Sequence, residues 1–95
     1  MEYDVLKIIN KLGRFEYNGK DQDGLRDWMT VLYGIYAIHE KSLSSESNDA
    51  FQVIDKSILG RSRKGDITEN GFFCMKRTLN LFEKDITAKL KNISC

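Results

Sequence analysis

Proline is absent from the 95 residues, histidine occurs once and cysteine twice. Each shortage removes a class of function. The longest apolar stretch, Val31 to Ile38, has eight residues, against the roughly 20 that a membrane-crossing helix needs. A zinc site wants about four Cys, His or carboxylate ligands in register, and His39 with the distant Cys74 and Cys95 does not supply them. The formal net charge is only +1, without the strongly basic footprint of a dedicated nucleic-acid binder. Low-complexity stretches and internal repeats are missing too. What is present is a folded composition. Charged residues make up 31% and hydrophobic residues 41%, with five Phe and four Tyr, which excludes disorder over most of the chain. With domains of about 100–150 residues as the norm, residues 1–95 read as a single helical domain.

The two cysteines invite a disulfide, and helix geometry argues against it. If a helix runs to Lys91, Cys74 lies 17 residues before its end, or ~25 Å at 1.5 Å per residue. The four residues from Lys91 to Cys95 reach back only ~14 Å. Bonded cysteines need Cα atoms within about 7 Å, so two free thiols in a reducing compartment are expected. Met1, Glu2, Tyr3 and Asp4 are acidic and polar, unlike the basic opening of a signal peptide. Cytoplasmic residence is the expectation.

Four segments carry the spacing of amphipathic helices. Val5, Ile8, Ile9 and Leu12 predict a helix over 3–12, stopped by Gly13. Residues 13–23 read as a connector that tucks Phe15 and Tyr17 into the core. Asp23 is a good N-cap for a helix over 24–43, with Leu25, Trp28, Met29, Leu32, Ile35, Tyr36, His39 and Leu43 on one wide face. Val31 and Ile38 widen that arc, so this helix is expected to be the central element. Ala50, Phe51, Ile54 and Ile58 predict a third helix over 47–59. Asp66 and Glu69 fit a capping box. The stripe Phe72, Met75, Leu79, Phe82, Ile86, Leu90 and Ile93 then predicts a long helix over 67–91. The expected architecture is all-α, a small antiparallel bundle of about four helices.

Chemical motifs fail one by one. Asp21-Gln22-Asp23-Gly24 resembles the middle of a calcium loop, yet the first and twelfth positions fall on Gly19 and Thr30, which offer no carboxylate. The glycine-bounded basic loop Gly60 to Gly65 precedes a helix but is no phosphate-binding motif. Asp66 and Glu69 would moreover repel a phosphate from the helix start. His39 sits on an apolar face, where a hydrogen-bonded, partly buried histidine is the plain reading. No spacing isolates an acid–base pair. The chain reads as a non-enzyme with no catalytic residue, no metal and no cofactor.

Four features remain. Residues 1–55 carry a net charge of −4 and residues 56–95 a net of +5. The acidic excess includes Asp21, Asp23 and Asp27, and the basic excess Arg61, Arg63 and Lys64; such a dipole steers and orients a partner. Cys74, Leu81 and Ala88 recur every seven residues on the back of the last helix, with Phe73 to one side. They form a second apolar seam or lie beneath the first helix and the connector. Thr30, Gly34 and Ala37 form a row of small residues, where Gly34 either meets a crossing element or sits beneath Tyr17 or Phe15. The third and fourth helices, last, offer a loose helix-turn-helix in which Lys76, Arg77 and Asn80 reach a nucleic acid.

In size and helical content the chain resembles toxin-immunity proteins, antitoxins and phage-encoded inhibitors, with no motif to tie it to one family. The resemblance points to bacteria and their phages; the missing catalytic and metal motifs, with the charged loops and the second apolar seam, lead to the expectation of a protein that binds another protein, such as a toxin or nuclease, and masks its surface. Phe73 and Leu81 are the expected apolar contacts. The polar contacts come from Arg61, Arg63 and Lys64, or from Asp21, Asp23 and Asp27. Two alternatives stand beside it: a small nucleic-acid-associated regulator using the basic 56–64 loop, and a structural homo-oligomer, such as a homodimer, built on the Cys74–Leu81–Ala88 seam.

Overall fold

A computed structural model of the chain describes residues 2–56 and 66–94. Among them there are helices and turns and no strand. The architecture is a small all-α bundle, as the apolar spacing predicts. Helix α1 spans Glu2–Gly13, α2 Gln22–His39, a 3-10 turn Glu40–Ser42, α3 Ser45–Ile54 and α4 Glu69–Ser94. Residues 57–65, where Ile58 and the basic residues Arg61, Arg63 and Lys64 fall, lie outside the described residues.

The core follows the stripes. Val5 and Ile9 come from α1; Leu25, Trp28, Met29, Leu32 and Ile35 from α2; Phe51 and Ile54 from α3. Helix α4 supplies Phe72, Met75, Leu79, Phe82, Ile86 and Leu90, all buried. Its 26 residues extend ~39 Å at 1.5 Å per residue. Two aromatic clusters pin it at separate points. Phe72 meets Phe15, Tyr17 and Trp28 with ring centroids 5.9, 6.0 and 5.1 Å away. Phe82 meets Tyr36 and Phe51, which stack on each other at 3.8 Å. Edge and offset contacts of this kind add to simple burial.

The order of importance of the helices is corrected by this packing. Helix α4, not α2, is central: α1, α2, α3 and the 3-10 turn all lie against it. The stripe on α4 is long enough to serve every partner, whereas only the inner half of the α2 arc is covered. Val31 and Ile38 stay exposed.

Helix ends also differ from the sequence reading. The α2 cap is Asp21 rather than Asp23: its carboxylate accepts from the Gly24 N–H at 3.0 Å. The carboxylate occupies the space where a Gly24 side chain would begin, so glycine at this position lets the cap close. The α-helix stops at His39, short of Leu43, and tightens into the 3-10 turn. The turn leads the chain to Ser44, which caps α3 by accepting from the Ser47 N–H at 3.2 Å. At α4 the cap is Thr68, whose hydroxyl accepts from the Gly71 N–H at 3.0 Å. Asp66 lies two residues too early to cap a helix that begins at Glu69.

Two polar clamps hold the turns to α4. Asp85 accepts from the Ser44 N–H at 2.9 Å, from the Ser44 hydroxyl at 3.0 Å and from the buried Ser47 hydroxyl. Burial alone would push the Asp85 carboxyl up. The bonds from Ser47 and from the Ser44 N–H and hydroxyl outweigh it and hold the group below its ordinary value. At the other end, Gln22 reads the backbone of Ile67 in both directions. Its Oε1 accepts from the Ile67 N–H at 2.7 Å and its Nε2 donates to the Ile67 carbonyl at 3.3 Å. The Tyr17 hydroxyl donates to the same carbonyl at 2.9 Å, which fixes the connector and buries Ile67.

Candidate protein-binding surfaces

The back of α4 presents the residues singled out by the heptad spacing, and it divides into two shallow grooves. Phe73 immediately follows the buried Phe72, so helical geometry turns it about 100° away from the core. It is 71% exposed. Beside it, Gly13 at the end of α1 and Lys76, Arg77, Leu79 and Asn80 of α4 line a groove of about 320 Å³. The second groove, of about 300 Å³, lies between α3 and α4. Its walls are Glu46, Asp49, Ala50, Val53 and Ile54 on one side and Cys74, Arg77, Thr78 and Leu81 on the other.

Arg77 borders both grooves, so the structure brings Phe73 and Leu81 to either side of one guanidinium. Leu81 is half-buried by its α3 neighbours. The seam is therefore not one continuous strip: Cys74 and Ala88 are exposed and Leu81 is partly covered. Its cover comes from α3, not from α1 and the connector. Cys74 is an exposed free thiol.

The outer face of α4 is cationic around its aromatic. Phe73, Lys76, Arg77, Asn80 and Lys84 follow the i, i+3, i+4, i+7, i+11 pattern of a single helix face. Lys76 lays its ammonium 5.7 Å from the centroid of the Phe72 ring, a cation–π contact that holds the charge over the core edge. Arg77, Asn80 and Lys84 are exposed.

The acidic set behaves differently. Asp21 is spent on the α2 cap. Asp23 pairs with Arg26 at 3.7 Å. Asp27 is exposed and has no ion pair among the described residues. None of the three lines either groove on α4. Arg61, Arg63 and Lys64 lie outside the described residues, and with them the loop of the nucleic-acid reading.

A further surface contains Gly34 and Ala37 of the small-residue row. Between α1 and α2, and reaching Lys89 of α4, lies an open groove of about 860 Å³. Val5 and Ile35 form its floor; Ile8, Val31 and Ile38 form its walls, at 45%, 38% and 78% exposure. Gly34 lies in the groove, and nothing stands within 4 Å of the point where a Cβ would be. It is covered neither by a crossing helix nor by Phe15 or Tyr17, which pack on Phe72 instead. The signal was present in the apolar character of Val31 and Ile38. It was hidden because both extend the buried arc of α2 and read as core.

Among the described residues no group of three or more His, Cys, Asp or Glu stands close enough to hold a metal ion. No described helix is long and apolar enough to cross a membrane. No protein-family model matches this chain, and neither the curated proteins nor the solved structures contain one significantly similar to it.

Proposed function

We propose that this chain is a non-enzymatic protein-binding protein that masks an acidic surface of its partner with the outer face of α4. The exposure of Phe73 beside Arg77 and Asn80 carries the reading. A large aromatic is costly to leave in water, and the fold gains nothing from it there. Inserted into a recess of a partner it becomes the kind of anchor that dominates interface energetics, with surrounding cations setting approach and register. Beyond Arg77 the contact ends at Leu81, because Glu46 and Asp49 on the facing α3 wall would repel an acidic partner. Immunity proteins, antitoxins and phage-type inhibitors act in this manner, and an acidic toxin surface has the matching chemistry. The free thiol of Cys74 suits a reducing compartment such as the cytoplasm.

The α4 face supports this reading better than the acidic set does, because Asp21, Asp23 and Asp27 line neither groove beside the exposed Phe73 and Leu81. A nucleic acid is the second reading, favoured by Lys76, Arg77 and Lys84 in one row. Against it, the formal net charge is only +1, without the strongly basic footprint of a dedicated nucleic-acid binder.

The test compares wild type with Phe73→Ala and Arg77→Glu in capture from the native cell and in retention on DNA and RNA. The expected result is a captured protein that both variants lose by ~30-fold or more, in line with a hot-spot residue. Equal capture by all three proteins, or salt-sensitive retention on nucleic acid with no protein partner, would overturn the proposal.

A further inference from the structure

Gly13 is the last residue of α1, and the fold does not use it in the usual way. A glycine that stops a helix normally takes the left-handed conformation. Gly13 stays helical, without a positive φ. The chain leaves α1 through the Arg14 and Phe15 N–H groups, which donate to the Lys11 and Leu12 carbonyls at 3.2 and 3.1 Å. Other residues can make this exit, and most of them are better helix formers than glycine. What Gly13 does supply is space. Nothing stands within 4 Å of the point where its Cβ would be, and the residue lines the groove of about 320 Å³ beside Phe73.

The polar lining of that groove is of one kind. Phe73 and Leu79 give it an apolar side; Lys76, Arg77 and Asn80 supply the rest, and no carboxylate lines it. Ammonium and guanidinium groups only donate, and the Asn80 amide adds two N–H donors. Lys76 lies over the Phe72 ring. Arg77 and Asn80 are exposed and have no hydrogen bond or ion pair to a described residue. Unpaired donors beside an apolar side fit a carboxylate on an apolar stem, which a guanidinium holds through paired N–H bonds.

We propose that this groove receives an acidic side chain of the protein partner. Its carboxylate lies on Arg77 and Asn80, its stem lies against Phe73 and Leu79, and Gly13 keeps the entrance open. The inference rests on the α4 reading for the partner and adds the chemistry of the contact. Phe73 enters the partner, and the partner enters this chain beside it.

An NMR titration of the isotope-labelled chain with hydrocinnamate, a carboxylate on an apolar stem, tests the groove without the partner. Saturable shifts are expected at Gly13 and at the Asn80 side-chain amide, with a dissociation constant of ~1–10 mM for so small a ligand. Hydrocinnamamide has the same shape without the charge and is expected to bind about 10-fold more weakly. Gly13→Leu fills the entrance and Asn80→Leu removes donors. Each is expected to weaken hydrocinnamate by about 10-fold while keeping the helical circular dichroism. In partner capture Gly13→Leu is expected to lose about 10-fold. Shifts that never saturate, equal binding of acid and amide, or binding that survives both substitutions would overturn the inference. Loss of the partner by Phe73→Ala without hydrocinnamate binding would remove this inference and leave the α4 reading standing. Capture unchanged by Phe73→Ala would remove the α4 reading, and the partner's side chain with it.

Discussion

Phe72 and Phe73 are neighbours in the chain and opposites in the fold. Phe72 is 3% exposed and touches three other aromatic rings; Phe73 is 71% exposed, beside Lys76, Arg77 and Asn80. One step along a helix turns a side chain by about 100°, enough here to move a phenyl ring from the core to water. The difference teaches that neighbouring positions on one helix can meet opposite surroundings. The inner face of α4 collects every other helix, and the outer face leaves a large aromatic in water beside cations.

Substitutions can break this contrast, and the largest effect is expected at the inner ring. Phe72→Ala removes the hub of the Phe15, Tyr17 and Trp28 contacts and is expected to cost about 3–5 kcal/mol in chemical denaturation. Phe73→Ala is expected to change stability by no more than about 0.5 kcal/mol. Next comes the clamp that ties the start of α3 to α4. Asp85→Ala leaves the buried Ser47 hydroxyl without its acceptor, and a loss of about 2 kcal/mol is expected. Weaker still is the cap at α2. Gly24→Ala displaces the Asp21 carboxylate and is expected to cost about 1 kcal/mol in thermal or urea unfolding.

Asp85 also gives the fold an acid limb. Its carboxyl sits below the ordinary value in the folded chain. Its contribution to stability is thus full above the unfolded value of about 4 and is lost as pH falls through the lower folded value. Urea midpoints measured between about pH 5 and pH 2 are expected to fall more steeply for wild type than for Asp85→Asn. Tyr33 titrates in the opposite sense. Burial first, then its bond to Asp55 and the charge of that carboxylate, push the phenol up. Its contribution is present below about pH 10 and fades as the pH rises toward the higher folded value.

Much of the bundle is legible in the sequence because its signal is local. Steps of three or four residues from Phe72 to Leu90 are enough to assign the buried side of α4. Phe15 and Tyr17 are recognisable as inward residues because they are aromatics in an otherwise polar connector. The rest depends on residues far apart in the chain. Ser47 looks like a solvent-facing serine until Asp85, 38 residues on, is seen to accept a hydrogen bond from its hydroxyl. Ile67 stands alone among polar neighbours, and its burial becomes intelligible only with Gln22 and Tyr17 around its backbone. The caps moved because Asp21 and Thr68 place their oxygens in reach of free N–H groups, whereas Asp23 and Asp66 are attractive by residue type alone.

The candidate surfaces divide in the same way. Phe73 can be singled out from helical phase, since it falls outside the α4 stripe. The open side of α2 cannot, because amphipathic spacing tells how wide an apolar arc is and not how much of it a neighbour covers. Once α4 takes the centre, Val31 and Ile38 stay exposed among the described residues.

Partner binding by Phe73→Ala, measured on a protein whose unfolding curve is recorded in parallel, tests the division of α4 most directly. The expected result is an unchanged unfolding midpoint with binding lost by ~30-fold or more. A variant that unfolds as readily as Phe72→Ala, or one that binds as well as wild type, would contradict it.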